Sequence, residues 1–265
     1  MHKKLLELTV GAAQAGENLL SEYDPKQLYA FRVDVRRIRS ILKQIDNHRS
    51  RRYRKIWGGF AAVTNDARDW DIFLLTAKKL LSATQYREFE KLNHEQVRHS
   101  HEAVIELLQS MHWQRHLDDW KDVLARADEQ ADETHQGLAS LELALAGARL
   151  ALERALAVND DHSWHKFRIR VKDVRYVADA GNDEPTNRNY VSSVIESCKQ
   201  LQTLLGDWHD AVVQLNMLEE LQAAPVHSRL RKVVSERRQM FLAQTRDMLA
   251  EHPLFAIQSP TSNCG

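Results

Sequence analysis

The stretch Tyr29-Ala-Phe-Arg-Val-Asp-Val-Arg-Arg-Ile-Arg-Ser40 occurs a second time as His165-Lys-Phe-Arg-Ile-Arg-Val-Lys-Asp-Val-Arg-Tyr176. Four of the twelve aligned positions are identical and three more are conservative. Downstream, Asn65-Asp-Ala-Arg-Asp69 aligns with Gly206-Asp-Trp-His-Asp210, at nearly the same distance from the first motif. Two motifs in the same order and at similar spacing predict an internal duplication.

Each copy of the motif has the periodicity of an amphipathic helix. Apolar residues recur at alternating spacings of four and three, which places them on one helical face. Similar spacing continues through most of the chain, and alternating strand patterns are nearly absent. These patterns predict an all-α fold of two related helical bundles, duplicated four-helix units with pseudo-twofold symmetry. The two apolar seams are Phe31, Val35, Ile38, Leu42 and Ile45 in the first copy, and Phe167, Val171, Val174 and Ala178 in the second.

Helix boundaries follow from capping residues and from the ends of the apolar pattern. Asp24-Pro25 is a start signal, an N-cap followed by proline at the first helical position, and Asp160 or Asp161 is expected to cap a later helix. The first bundle is predicted to cover residues 1–133 and the second 134–252, followed by a flexible tail over 253–265. The predicted helices are 3–21, 26–46, 50–81 with a break near Asn65, 84–110, 113–130, 134–158, 162–180, 188–222 and 227–250.

A row of basic side chains lies about 100° round the helix from each apolar seam. Cations at this spacing are roughly 5–6 Å apart and repel one another, so acids from another helix or a bound anion must offset the repulsion. Cations are retained at three matched positions in both copies, and a guanidinium bonds two phosphate oxygens at once. We therefore interpret the rows as anion-binding. They comprise Arg32, Arg36, Arg39 and Lys43 in the first copy, and His165, Arg168, Lys172 and Arg175 in the second.

A further basic cluster opens the next predicted helix. It contains Arg49, Arg51, Arg52, Arg54 and Lys55. Two interpretations remain open for this cluster. It either contacts the same ligand, with Arg51 and Lys55 as the candidate residues, or forms solvated surface.

The 265-residue chain carries 37 basic and 37 acidic residues, so its net charge is zero, but the charge is segregated. Residues 26–55 carry eleven basic residues against two acidic ones, and residues 116–133 carry seven acidic residues against two basic ones. The local electrostatic field decides where an anion docks.

No apolar run approaches the ~18–20 residues that span a bilayer, and no signal peptide is expected. Two cysteines, Cys198 and Cys264, predict no disulfide framework and favour a cytoplasmic location.

Four stretches together resemble one known family. They are Arg32-Val-x-x-Arg-Arg-x-Arg39, Ala67-Arg-Asp-Trp-Asp71, His165-x-x-Arg-x-x-x-Lys-x-x-Arg-Tyr176 and Leu204-Leu-Gly-Asp-x-x-Asp210. In order and spacing they resemble the CHAD family, the conserved histidine α-helical domain, over roughly residues 5–250. The resemblance implies two four-helix bundles with a basic groove between them, binding of inorganic polyphosphate and association with polyphosphate granules. It implies that the groove is lined by Arg32, Arg36, Arg39, His165, Arg168, Lys172 and Arg175.

One position departs from the family pattern. The family has a histidine three residues before the first-half arginine, and this chain has Tyr29 there. A phenol donates a hydrogen bond to a phosphate oxygen but does not become cationic. We include Tyr29 among the binding residues as a donor, and its presence argues against a symmetric histidine pair acting on a metal or in acid–base catalysis.

Metal binding and catalysis are rival interpretations of the same residues. His112 and His116 have the i,i+4 spacing of helical ligands, yet no recognised zinc pattern accompanies them, and surface histidines are the expected outcome. Carboxylates near a phosphate site are able to hold Mg²⁺, although pairing with arginines or helix capping is favoured for them. No glycine-rich phosphate loop, nucleophile elbow or cysteine nucleophile motif is present. We expect no catalysis, no cofactor and no metal. The carboxylates in question are Asp66, Asp69, Asp71, Asp207 and Asp210.

Three functions remain in competition. The phosphates of a nucleic acid would bind the same arginines, and a single-strand-binding protein would use exposed aromatic rings as stacking platforms. The helical context of the candidate tryptophans favours core positions instead. We predict non-catalytic binding of inorganic polyphosphate with no membrane contact; the alternatives are a helical nucleic-acid-binding protein and, next, a metal-dependent polyphosphate or triphosphate hydrolase. The oligomeric state does not follow from the sequence. The tryptophans are Trp57, Trp70, Trp164 and Trp208.

Overall fold

The structure is a computed structural model that describes residues 2–45, 47–126, 138–180, 188–250 and 253–255. These residues form eleven α-helices and one short 3₁₀ turn, and none of them lies in a strand. The predicted all-α class is confirmed. The helices are α1 (His2–Ser21), α2 (Pro25–Ile45), α3 (His48–Val63), α4 (Asn65–Leu80), α5 (Ala83–Leu92), α6 (His94–Gln109), α7 (Met111–Arg126), α8 (Leu138–Val158), α9 (Asp161–Ala180), α10 (Arg188–Glu220) and α11 (Pro225–Ala250), with the 3₁₀ turn at Pro253–Phe255.

The chain divides into two compact units, Met1–Thr134 and His135–Gly265. In the second unit each helix packs on the next, α8 on α9, α9 on α10 and α10 on α11. In the first unit α2 packs between α1 and α3, and α6 packs on α1 and α4. The described part of the first unit has seven helices, so the expected number of four is wrong for it. The pseudo-twofold duplication stays a prediction from the sequence repeat.

The two apolar seams predicted from the repeat form the centres of two separate cores. Phe31, Val35 and Ile38 on α2 are buried with Trp57 of α3 and Trp113 of α7. On α9 the buried seam packs with Trp208 and Leu205 of α10. All four tryptophans considered as stacking platforms are buried, which confirms the expectation that they are core residues. Burial of each seam fixes the rotation of its helix, and therefore the direction in which the adjacent cations point.

Capping residues set where the cation-bearing helices begin. The Asp24 carboxylate accepts from the Lys26 backbone N–H at 2.9 Å, directly before α2. The Asp160 carboxylate accepts from the Ser163 N–H at 2.7 Å and caps α9, as predicted. At α3 a capping box joins Asn47 and Ser50, whose backbone N–H donates to the Asn47 Oδ1 at 2.8 Å. These contacts satisfy backbone donors that a helix leaves without an internal partner.

Two breaks interrupt the long helices expected in the first unit. The predicted break near Asn65 is confirmed, because α3 ends at Val63 and α4 begins at Asn65. The Thr64 hydroxyl between them donates to the Ala61 carbonyl at 2.9 Å. In the second unit the matching stretch is one continuous helix, α10. The uninterrupted helix expected over 84–110 is wrong, because it breaks at Asn93, whose side-chain amide donates to the Phe89 carbonyl at 2.7 Å.

The flexible tail expected from residue 253 onward is wrong for its first three residues. Pro253–Phe255 form a 3₁₀ turn, and Phe255 is buried in the second core. Its ring meets that of Phe167 nearly perpendicularly, with centroids 6.0 Å apart. The Arg149 Nε also donates to the Leu254 carbonyl at 2.9 Å. A buried aromatic anchor and a backbone hydrogen bond hold the turn on its unit; residues 256–265 lie outside the described part of the chain.

Across the described ranges, no helix combines the length and the hydropathy that crossing a bilayer requires. Of the two cysteines, Cys198 is a buried free thiol in the second core, and Cys264 lies outside the described residues. Burial raises the pKa of the Cys198 thiol to about 12, so it is a packing residue and not a nucleophile.

Candidate functional site

The first basic stripe, defined as Arg32, Arg36, Arg39 and Lys43, lies along α2 beside the buried seam. Arg36, Arg39 and Lys43 are exposed, whereas Arg32 is partly buried at the edge where α2 meets the α3–α4 break. The stripe extends over twelve residues, from Arg32 to Lys43, or about 16 Å of helix. It is therefore a linear array of positive charge with one end held by the fold.

Arg32 is fixed by acceptors at the α3–α4 break. Its guanidinium donates to the Ala61 carbonyl at 3.0 Å, to the Thr64 hydroxyl and to the Asn65 side-chain oxygen at 2.9 Å. Burial, with the nearby charges of Arg68 and Arg36, lowers the pKa of Arg32 to about 10. The side chain stays cationic at neutral pH but is surrounded by like charge. Sequence periodicity predicted its position, and the contacts give it a structural task as well.

Arg39 lies across α3. Its guanidinium is 3.5 Å from the point that a Cβ of Gly58 would occupy. Burial and the charge of Arg54, also on α3, lower the pKa of Arg39. Arg54 was part of the cluster noted in the sequence but not among the predicted binding residues. The structure thus brings a cation of α3 to the stripe of α2, and both charges favour an anion at this place.

Arg68 extends this positive region onto α4. It lies close enough to Arg32 to lower the pKa of that side chain. The Arg68 Nη1 also donates to the Asp69 carboxylate at 2.7 Å. The sequence predicted that Asp69 pairs with arginines across the bundle or caps a helix, whereas the structure shows an ion pair with its immediate neighbour in the chain, Arg68. Positive charge in the first unit therefore converges from three helices, α2, α3 and α4.

The second basic stripe, defined as His165, Arg168, Lys172 and Arg175, lies on α9. All four side chains are partly buried, in contrast to the mostly exposed first stripe. Arg175 donates to the Gln202 side-chain oxygen at 2.9 Å and lies 3.5 Å from the Asp179 carboxylate. The Gln202 amide in turn donates to the Val171 carbonyl at 3.5 Å, which ties the end of the stripe to α10.

His165 at the other end of this stripe is paired with His209 of α10. Their ring centroids are 4.8 Å apart, with the planes tilted by 43°. Burial, followed by the charges of Arg168, Lys172 and His162, lowers the pKa of His165. The repeat places His209 opposite Arg68, and this is the signal in the sequence that could have identified it as a partner of the stripe.

The remaining predicted binding residues lie at the surface of the first unit. Tyr29 precedes the first stripe on α2 and is 68% exposed, so its hydroxyl is open to a ligand. Arg51 and Lys55 are exposed on α3, one turn apart. Arg54 of the same helix is the residue whose charge acts on the stripe. The contact role of Arg51 and Lys55 stays a prediction.

The buried carboxylate of Asp71, near the first stripe, is held by contacts with other side chains of the first unit. Asp71 accepts from the Tyr23 hydroxyl at 2.9 Å and lies 3.0 Å from the His101 Nε2. The Tyr23 and His101 rings stack with centroids 3.7 Å apart. Burial and the Asp71 charge raise the pKa of Tyr23. This hydrogen-bonded group joins α4 and α6 to the α1–α2 turn, and accounts for Asp71 without a ligand.

The expectation of surface histidines is wrong for His116. It is 5% exposed and lies among the rings of Trp57, Phe60 and Tyr53. Burial lowers its pKa to about 4, so it is neutral in the folded protein. Its position between Trp113 and Trp120 on the apolar side of α7 was the signal in the sequence. No group of three or more potential metal ligands occurs within the described ranges.

Comparison with known proteins places the fold. The sequence profile of the CHAD domain matches residues 4–219 of this chain. The chain belongs to the CHAD domain family. A solved structure, the crystal structure of the CHAD domain from the plant Ricinus communis, superposes with a TM-score of 0.70 at 22% identity, over 96% of this chain and 90% of that one. Among curated proteins, no sequence matches this chain.

At 22% identity the plant CHAD domain shows a shared fold alone. Both stripes lie inside the part that the CHAD profile matches. The profile ends at residue 219, so α11 lies beyond it, although α11 packs along α10 in the second unit. CHAD domains are linked to the binding of polyphosphate and triphosphate.

Proposed function

We propose that this CHAD protein binds linear inorganic polyphosphate through its two basic stripes and does not hydrolyse it. The observation that carries the proposal is shared by both stripes. Burial and neighbouring cations lower the pKa values of Arg32 and Arg39 in the first stripe and of His165 in the second, so positive charge in both stripes is opposed by desolvation and by repulsion. A polyanion placed along the stripe would relieve that repulsion.

The shape of the stripe favours a chain of phosphates over a single one. Arg36, Arg39 and Lys43 present exposed cations at each turn of α2. An isolated phosphate spans only one or two such groups, whereas a linear polymer meets every one in succession. Each added contact releases counterions, so affinity should rise with chain length and fall steeply with salt.

Nucleic acid is the alternative ligand, because its phosphates would release counterions in the same way. Binding of single strands gains roughly 1–3 kcal/mol per base from exposed aromatic platforms. The four candidate tryptophans are buried, and Tyr29 is the exposed ring at the first stripe. The stripes therefore provide many cations for phosphates and few aromatic rings for stacking with bases, which favours polyphosphate as the ligand.

The experiment is a competition at physiological ionic strength. Labelled long-chain polyphosphate is displaced with unlabelled polyphosphate, or with single- or double-stranded oligonucleotides of matched charge. We expect at least a tenfold higher concentration of oligonucleotide to be needed for half displacement. Equal or stronger displacement by the oligonucleotide would favour the nucleic-acid alternative, and Tyr29→Ala then tests whether base stacking contributes.

The non-catalytic part of the proposal rests on the residues of the stripes. Arginine and lysine bind phosphate as fixed cations, and His165 is the stripe residue able to exchange a proton near neutral pH. Its lowered pKa makes it a weak general base. Incubation with polyphosphate and divalent metal ions should leave the chain-length distribution unchanged, and shortening would establish a hydrolase. In the cell, this proposal places the protein in the cytoplasm on polyphosphate granules.

A further inference from the structure

Helix α8 carries two apolar faces, and the second unit covers one of them. Leu141, Leu145 and Leu152 are buried in the core. On another side of the helix, Leu143 is 76% exposed and Leu150 is 69% exposed. Leu143 is the most exposed large hydrophobic side chain in the described part of the protein. The exposed residues Ala139, Leu143, Ala146 and Leu150 form what we call the α8 stripe.

The α8 stripe has the spacing of a coiled-coil seam. Its members are four, three and four residues apart, the alternation that keeps a/d positions facing one partner helix. The stripe ends at Glu153, which occupies the next position of the pattern. It therefore offers about 16 Å of helix for pairing. A second apolar helix of matching length would cover it.

Charged residues beside the α8 stripe select the partner and its direction. Glu142 and Arg149 each precede a stripe leucine and lie on the same flank, seven residues apart. In an antiparallel pair of identical helices, Leu143 faces Ala146 of the second copy. Glu142 then faces Arg149 of the second copy, and by symmetry the same ion pair forms twice. A parallel pair would instead bring Arg149 towards Arg154, which repels.

Both charged side chains are already held in place within the chain. The Tyr190 hydroxyl donates to one Glu142 oxygen at 2.7 Å, and the Arg149 Nε donates to the Leu254 carbonyl at 2.9 Å. The other Glu142 oxygen and the terminal nitrogens of Arg149 have further bonding capacity. Side chains that are ordered beforehand lose less entropy when a partner binds.

The opposite flank of the α8 stripe is small. It consists of Ser140 and Gly147, which face each other across the antiparallel pair. Glycine inside a helix costs about 1 kcal/mol relative to alanine. A Cβ added at Gly147 would meet no atom within 4 Å in the described structure, so packing inside the unit does not require glycine there. The absence of a side chain at Gly147 would allow a second helix to approach this flank closely.

We infer that α8 pairs in antiparallel fashion with α8 of a second copy of this chain, through the α8 stripe and two Glu142–Arg149 ion pairs. The occupant is a second copy because the flanking charges complement themselves only in that arrangement. The inference is independent of polyphosphate binding.

The test is a charge-swap experiment followed by sedimentation velocity over a hundredfold range of protein concentration. The wild-type chain should show a concentration-dependent dimer. Glu142→Arg and Arg149→Glu should each weaken that dimer at least tenfold, because each creates two like-charge pairs. Mixing the two variants should restore dimers as heterodimers, and the double variant Glu142→Arg/Arg149→Glu should restore the homodimer. Lys121→Glu on α7 is the matched charge-reversal control and should leave dimerisation unchanged.

A second variant keeps the fold intact while blocking the approach of the helices. Gly147→Gln should leave helical content unchanged and maintain or raise Tm, because it improves helix propensity in open space, yet weaken the dimer at least tenfold. A wild-type chain that stays monomeric at every concentration overturns the inference, and means that another segment or nothing covers the α8 stripe. A dimer that is insensitive to both charge reversals also overturns it.

Discussion

At the scale of single residues, one matched position beside the arginines differs in its acid–base chemistry, because the first unit has Tyr29 and the second has His165. The tyrosine is largely exposed and the histidine is partly buried against His209. Burial and the charges of Arg168 and Lys172 lower the pKa of His165, and negative charge placed nearby would favour its protonated form. The replacement therefore gives the second stripe a sensitivity to pH that the first lacks.

This difference predicts proton-linked binding. Because the free His165 has a lowered pKa and bound phosphate would raise it, binding should take up a proton, and affinity should increase as pH falls from 8 towards 6. Isothermal titration in buffers of different ionisation enthalpy measures that uptake. His162, His209, Arg168 and Lys172 stay in place in the variant His165→Gln, which should lose most of the uptake. Equal proton uptake by the wild type and the variant would contradict contact between His165 and the ligand.

At the scale of elements, the break between α3 and α4 connects stability with the site. Arg32 supplies donors to three acceptors at this break. The matching stretch of the second unit is the continuous helix α10, which has no such break. Arg32 therefore stabilises an irregular segment, whereas Arg36, one turn later, is exposed.

Substitution of the two arginines should change the free energy of unfolding by different amounts. Arg32→Ala should lower the free energy of unfolding by about 1–3 kcal/mol, since it removes hydrogen bonds to partly buried acceptors. Arg36→Ala should change it by less than ~0.5 kcal/mol, as exposed substitutions usually do. Urea unfolding followed by circular dichroism measures both. Equal losses for the two variants would show that the contacts of Arg32 at the break contribute little to stability.

Helix faces were predictable from the sequence, but the partners of those faces were not. The seams of α2 and α9 and the caps at Asp24 and Asp160 follow from local spacing and local hydrogen bonds. The approach of Arg54 to Arg39, and of His209 to His165, depends on how two helices pack, which periodicity along one helix does not specify. The break at Asn93, where the side-chain amide donates to the Phe89 carbonyl, lies in a segment whose composition suits a continuous helix.

At the scale of the whole molecule, the neutral net charge conceals two positively charged stripes, one in each unit. The sequence repeat predicts that both stripes take part in one binding event. A long polymer contacting both would be held by more phosphate contacts than either stripe supplies. Loss of either stripe should then weaken the same equilibrium.

Paired substitutions test this directly. Arg36→Ala with Arg39→Ala, and separately Lys172→Ala with Arg175→Ala, should each reduce polyphosphate affinity at least tenfold, since charge-assisted contacts contribute roughly 1.5–3 kcal/mol when well formed and less when solvated. Each pair should also flatten the dependence of log affinity on log salt, by an amount that scales with the phosphate contacts removed. Lys121→Ala with Arg126→Ala, on the exposed surface of α7, is the matched control and should change neither quantity appreciably.

The pattern of losses separates three arrangements. Losses from both pairs, with unchanged helical content, support one binding event that involves both units. A loss from the first pair alone would make the second stripe a structural remnant of the repeat, in which Arg175 serves to hold Gln202 against α9. If neither pair alters affinity in folded protein, the stripes are not the binding surface, because an array of exposed cations in contact with a polyanion cannot lose two charges without releasing fewer counterions.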